Sequence, residues 1–279
     1  MSAAAIASSA HQACAPPTLD HISWSGITTY SACPRKFYYR KIAQVPEEFK
    51  AASLAFGGAI HQAVEAIHQA RLEGAPIPTL GALVGDYDTA WRDAIKDAPA
   101  VVHAKTEDEQ VLHQTAERML SMYREHVIAQ AEQYGDTQII AIEHSHRFLL
   151  LSDVPPVEMR LDLLELDGPD LIVTDLKTTR SRWNQTKIKE ALPQLVLYAH
   201  GLMGLLHDLG AKRIVPRFVV ISRGRTPVIQ TIEPQVFKED VDRLKRRLSD
   251  VCQGIRKEIF PQRTGWQCGQ CPFKKRCLG

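Results

Sequence analysis

Long apolar runs, a secretory leader and a strong charge imbalance are all missing from this 279-residue chain. No apolar stretch reaches the roughly 18 residues that a bilayer-spanning helix needs, which excludes a helical membrane span. The opening MSAAAIASSAHQACAPPTLD has neither a basic start nor a solid apolar middle, so residues 1–20 read as a flexible tail, not a signal peptide. The expected compartment is the cytoplasm. A formal net charge of +2 is too small to announce a nucleic-acid binder through bulk electrostatics, so any such role must rest on local patches or on chemistry. There is no internal repeat, no low-complexity run beyond the alanine-rich start, and no helicase motif.

What is present is ordinary for a globular chain: 44% hydrophobic and 24% charged residues, with enough length for a sizeable core. Six cysteines in a reducing compartment point to metal or redox chemistry more than to disulfides. Three of them, Cys268, Cys271 and Cys277, crowd into the last stretch, WQCGQCPFKKRC.

Periodicity divides the chain. Ile60, Val64, Ile67 and Arg71 recur at helical spacing, and Leu80, Leu83, Val84, Tyr87 and Trp91 form a second stripe. Thr106 with Glu109 has the form of a capping box opening a long helix to about Tyr134. The segments TQIIAIEHSHRFLLL, VEMRLDLLEL and DLIVTDLKT read as strands of an antiparallel meander with turns at SDVPP and DGPD. A helix over about Thr186–Leu209, strands at RIVPRFVVIS and TPVIQTIE, and a helix over about Pro234–Glu258 follow. The class is α/β with a mixed sheet.

Asp175 and Lys177, two apart on a strand, put an anion and a cation on one face with Cα atoms about 6.6 Å apart. If the DGPD turn closes symmetrically, Asp162 falls opposite Asp175 and Arg160 opposite Lys177. Opposed carboxylates destabilise a hairpin unless something neutralises them, and a magnesium ion does so with hard oxygen ligands. The competing reading is a surface ion pair worth about 0–1 kcal/mol. His61 shares a helix face with Glu65 and His68, and is either a ligand or a solvent-facing histidine. Gln194 and Tyr198, four apart, can reach one point together, although Tyr198 lies in an apolar run and also suits the core.

In this order, FGGAIH, MRLDLLEL, IVTDLKT and QLVLY resemble the motifs of the RecB-like nucleases of the PD-(D/E)xK superfamily, among them the AddB nuclease domain and the CRISPR-associated RecB-like exonucleases. The likeness covers about Ile22 to Cys277. It implies a restriction-endonuclease-like core with a mixed central sheet, extra N-terminal helices and a C-terminal cysteine cluster, in one nuclease domain over 21–279. It further implies His61, Asp162 and Asp175 as metal ligands, Lys177 as catalytic lysine beside Asp162 and Asp175, and Gln194 and Tyr198 near the site or the DNA. Glu143 matches an acidic position of unassigned role. Met159 departs from the family, which often has glycine three residues before the first aspartate.

Many such nucleases hold a four-iron four-sulfur cluster on one early and three late cysteines. The likeness places it on Cys33, Cys268, Cys271 and Cys277, with 21–42 and 260–279 together forming the site. Four thiolates also suit structural zinc, so both metals stay open. Cys14 and Cys252 are then ordinary thiols. Arg35, Lys36, Arg40 and Lys41 interleave with Phe37, Tyr38 and Tyr39 in a way that suits a single strand, and Arg223, Arg225, Lys274, Lys275 and Arg276 add further positive charge. RLKRRLSD reads as a solvated helix face.

The expected function is metal-dependent hydrolysis of DNA with magnesium or manganese, as an exonuclease on single strands or ends in repair, recombination or phage DNA processing, with a helicase or recombination partner and no membrane. Two other classes stand beside it. One is a non-cutting DNA-binding or assembly subunit of a helicase-nuclease or CRISPR-adaptation complex, and the other a cluster-based redox protein.

Overall fold

The computed structural model describes residues 19–135 and 137–279. All but the last two residues of the expected tail, Cys14 among them, lie outside the described residues. The chain enters through β1 (Ile22–Ser23), α1 (Trp24–Ala32), α2 (Pro34–Phe37) and a π-helical turn at Tyr38–Ile42. Next come β2 (Lys50–Ala51), α3 (Ala52–Leu72), α4 (Leu80–Ile95), β3 (Val101–Val102) and α5 (Glu109–Tyr134). The meander is β4 (Gln138–Phe148), β5 (Val157–Asp167) and β6 (Asp170–Thr179). After it run α6 (Gln185–Gly201), α7 (Leu205–Asp208), β7 (Arg213–Ser222), β8 (Ile229–Ile232), α8 (Lys238–Arg256), a 3-10 turn at Trp266–Gln270 and α9 (Lys274–Leu278).

The expected mixed α/β sheet is present. β4–β5, β5–β6 and β7–β8 pair antiparallel, while β6–β7 pair parallel across the helical connection through α6. Helices cover both faces. One core joins Val157, Met159, Leu161, Val173, Phe218 and Val220 to α6 and α8, and the other joins Leu176, Val219 and Ile221 to α3, α4 and α5. On α3, Phe56, Ala59, Ile60, Ala63, Val64 and Ile67 are buried, the three- and four-residue spacing that sets one helix face against a sheet.

Three local expectations change. Asp108, not Thr106, caps α5, its Oδ1 accepting the Val111 amide at 2.8 Å. The helix expected to run to Leu209 stops at Gly201 and resumes as α7, with Gly201 and Gly204, poor helix formers, at the break. The last long helix starts at Lys238 instead of Pro234, where Asp240 accepts the Phe237 amide at 3.0 Å.

Met159, the departure noted above, has a packing counterpart. It is buried, and a Cβ at Gly201 would lie 2.9 Å from its Cε and 2.6 Å from the Phe148 ring. The close approach between strand and helix therefore takes its small residue from α6, not from β5.

Candidate active site

The β5–β6 ladder runs from Asp167↔Asp170 to Leu163↔Thr174, the register expected from a symmetric DGPD turn. It ends one step short of the two aspartates, where the strands part. Asp162 fills the opening, its Oδ2 accepting the Leu176 amide at 2.6 Å. Asp162 lines a recess against α3 and α5 together with His61, Glu65, His68, Glu143 and Tyr123. Asp175 points instead toward α6, where Gln194 Nε2 donates to its Oδ1 at 2.6 Å. The opposed pair thus becomes a pair on either side of a fork, joined through the Leu176 backbone.

On the α3 side, His61 Nδ1 lies 3.7 Å from Asp162 Oδ2. One donor atom each from His61, Glu143 and Asp162 falls within 4.8 Å of the others, a spacing that suits a cation. Glu143 sits between Ile142↔Leu163 and His144↔Leu161 on β4, across from Asp162, with φ at 45°. A glutamate in the left-handed region costs of order 1–3 kcal/mol and persists where surroundings impose it. Arg160 Nε stands 2.6 Å from Glu143 Oε2, with its own side chain 68% exposed, so it is not held opposite Lys177.

On the α6 side, Asp175 is fully buried and Lys177 Nζ lies 2.7 Å from its Oδ2, an ion pair whose angles fall short of a hydrogen bond. Gln194 also donates to Tyr198 Oη at 2.8 Å, and Tyr198 donates to the Arg160 carbonyl at 2.8 Å. The i, i+4 spacing therefore does bring both side chains to one point, with Tyr198 buried as well.

Charge in the cleft is costly. Burial pushes the Asp175 carboxyl up to about 6, the Lys177 cation opposing and the Asp162 anion adding to it. Burial also raises Glu143, with Asp162 adding and Arg160 opposing. For His61, burial works against the proton, but the neighbouring Asp162 carboxylate outweighs it and the pKa rises. Crowded carboxylates that resist ionisation, hard oxygen donors and one imidazole form a donor set that fits a divalent cation.

Behind the recess lies a network that the sequence does not announce. Arg71 reaches Glu165 at 3.2 Å and His68 Nδ1 at 3.1 Å, and His68 Nε2 is 2.9 Å from Tyr123 Oη. Guanidinium only donates, so Nδ1 accepts and Nε2 carries the proton. Burial and the Arg71 charge lower the His68 pKa to about 3, leaving it neutral.

Cys33, Cys268, Cys271 and Cys277 line one recess with Arg35, Lys36 and Tyr39. Arg35 N donates to the Pro261 carbonyl at 3.2 Å and Glu48 N to the Pro272 carbonyl at 3.1 Å, which closes the two ends of the chain on each other. Burial raises the Cys277 thiol, and the neighbouring Cys33 and Cys271 thiols add to it. Cys252 is buried elsewhere, in the α8 core. Of the aromatic residues expected to stack bases, Phe37 is 2% exposed and belongs to the core, while the half-buried Tyr38 lies 5.2 Å from the Phe260 ring and the half-buried Tyr39 5.6 Å from Phe273. RLKRRLSD presents its charges as expected except for Arg247, which lies over the Trp24 ring and donates to Ser31.

Residues 21–278 match the model of the PD-(D/E)XK nuclease superfamily. No curated protein matches. Among solved structures, a "Putative exonuclease" from Eubacterium rectale is similar at TM-score 0.55 and 12% identity, covering 92% of this chain and 88% of that one, which shows a shared fold. SSO0001 aligns at TM-score 0.32 and 14% identity over 84% of this chain and 87% of its own, a likeness too low to carry argument.

Proposed function

The chain belongs to the PD-(D/E)XK nuclease superfamily, and on that premise we propose that it hydrolyses DNA phosphodiester bonds as an exonuclease on single strands or ends, in repair, recombination or phage DNA processing. The observation that carries this reading is the fork at β5 and β6, which sets His61, Glu143 and Asp162 within 4.8 Å beside the buried Asp175–Lys177 pair. A magnesium or manganese ion held by His61, Asp162 and Glu143, with Asp175 at the same fork, would supply Lewis-acid polarisation of the phosphate.

The chain's own groups do the rest. Lys177 keeps a cation where charge builds on the phosphate, and Asp175 aims that ammonium. Gln194 fixes the Asp175 carboxylate and Tyr198 ties Gln194 to β5, so the lysine is positioned before substrate arrives. The fold excludes bulk water from Asp175, which strengthens its hold on Lys177. A cytoplasmic setting and a helicase or recombination partner accompany a DNA substrate.

The four-cysteine recess is read as a four-iron four-sulfur site that staples residues 21–42 to 260–279. Four thiolates also suit a tetrahedral zinc, and iron and zinc analysis of the purified protein separates the two.

The test is cleavage of end-labelled single- and double-stranded DNA by anaerobically purified protein with magnesium or manganese, beside Lys177→Ala. Cleavage lost in the variant supports the nuclease. A folded, cluster-loaded protein that binds but does not cut supports the non-cutting subunit instead.

A further inference from the structure

Beyond the catalytic fork, at the far end of β6, two arginines share one carboxylate. Arg223, whose amide donates to the Thr179 carbonyl at 2.7 Å, follows β7, and Arg180 follows β6. Arg223 Nη1 lies 3.7 Å from Glu107 Oε1 and Arg180 Nη2 lies 3.5 Å from Glu107 Oε2, both at or past the outer limit of hydrogen bonding. The Arg223 side chain is only 10% exposed, stacks over the Phe56 ring at 5.1 Å, and leaves Nη1 buried without a hydrogen-bond partner. Arg180, 62% exposed, closes the outer side. An adjoining recess, lined by Arg180, Glu107, His103, Ser53 and Gln270, contains a second orphan, the buried His103 Nδ1.

The place of this cluster matters. α3 passes along it and the catalytic fork alike: Phe56 lies under Arg223, and Gly57 lets the helix close on β6, since a Cβ there would sit 3.2 Å from Thr178 Oγ1. His61 follows Phe56 by five residues, about 7.5 Å along the helix axis. Along β6, Arg180 is about 10 Å beyond Lys177, the rise of about three stacked nucleotides. Gln270 brings the cysteine-bearing turn to the same recess.

Two guanidinium groups held by one carboxylate at long range, with unused donors beneath, form a poor structural ion pair and a good anion receptor. We infer that Arg180 and Arg223 form a phosphate subsite for the nucleic-acid strand one to three nucleotides from the cut, which Glu107 occupies as an internal stand-in until a phosphate displaces it. This inference rests on the nuclease reading and adds the residues that track the strand.

The test measures binding apart from cleavage. Fluorescence anisotropy of a labelled single-stranded oligonucleotide, with or without a 5′-phosphate, is followed across salt in EDTA with Lys177→Ala protein. Arg180→Gln and Arg223→Gln, each added to that background, are expected to weaken binding about tenfold and to reduce the slope of log K against log salt by about 0.7 each. Glu107→Gln is expected to tighten binding several-fold. Losses on both oligonucleotides identify a backbone phosphate, and losses confined to the phosphorylated one identify a terminal phosphate; either supports the subsite.

Unchanged affinity and slope in Arg180→Gln, an exposed position whose loss spares the core, overturns the inference, as does weaker binding in Glu107→Gln. If the wild-type protein still cuts, only the subsite falls. If folded wild-type protein neither binds nor cuts, the nuclease reading falls with it.

Discussion

Strands of ten and eleven residues and a helix of twenty-one carry the carboxylate centre, whereas the thiols hang from a five-residue 3-10 turn and helices of four and five residues. At the fork each group has a partner: Asp162 takes a backbone amide, Asp175 takes Gln194, and Tyr198 ties the set to β5. The thiols have little. Cys268 reaches the Arg263 carbonyl at 3.8 Å and Cys277 the Gln262 amide oxygen at 3.5 Å. One centre is organised before anything binds, and the other, on the proposed cluster reading, would gain its order from the metal it holds.

The sharpest break in that contrast is Lys177→Ala. Cleavage should fall about a thousandfold, in line with loss of one preorganised charge, while iron content and Tm stay near wild type because Lys177 is a partly exposed end of the ion pair. Steady-state cleavage beside iron analysis and a melting curve checks this. Concurrent loss of iron would show that the two centres are not independent.

Cys33→Ser probes the other side. On the cluster reading it should remove iron and destabilise the fold by about 3 kcal/mol, the typical worth of a cross-link, with cleavage following the folded fraction. Denaturant titration reads it. Unchanged stability would mean that the aromatic contacts of Phe260 and Phe273 close the chain by themselves.

His68 tests how firmly the layer behind the fork is held. In the unfolded chain it takes a proton near its ordinary value of 6.5, and in the native protein it stays neutral down to about 3. Between those values the unfolded state binds the extra proton, so stability falls as pH falls, by about 1.4 kcal/mol per pH unit. Urea titrations from pH 7 to pH 4 should show this slope and His68→Phe should flatten it.

The smallest effect belongs to Gly201→Ala, which forces a methyl against Met159 and Phe148 and should cost about 1–3 kcal/mol. Combining it with Met159→Ala should recover part of the loss in the same titration. Full additivity would mean that the two do not share the contact.

Much of this was legible in the chain. Alternation and helical spacing laid out the meander and its flanking helices, and the two-residue Gly168–Pro169 loop set a register whose constant sum carried Leu163 to Thr174. Spacing alone joined Gln194 to Tyr198. Glu143 was harder to see. A lone carboxylate on a strand that opens IIAIE is a faint signal, and the irregularity between Ile139 and Ala141 shifts the β4–β5 register that would place it.

The sequence by itself determined the elements and their periods, because those follow from interactions between near neighbours along the chain. Tertiary structure alone decided that β5 and β6 part at Asp162, that Asp175 turns to α6 while Asp162 turns to α3, and that Arg180 and Arg223 meet over Glu107. Those outcomes depend on how two helical layers close on a twisted sheet. Residues from about twenty to more than a hundred positions apart then compete for the same buried space, and no local pattern encodes the winner.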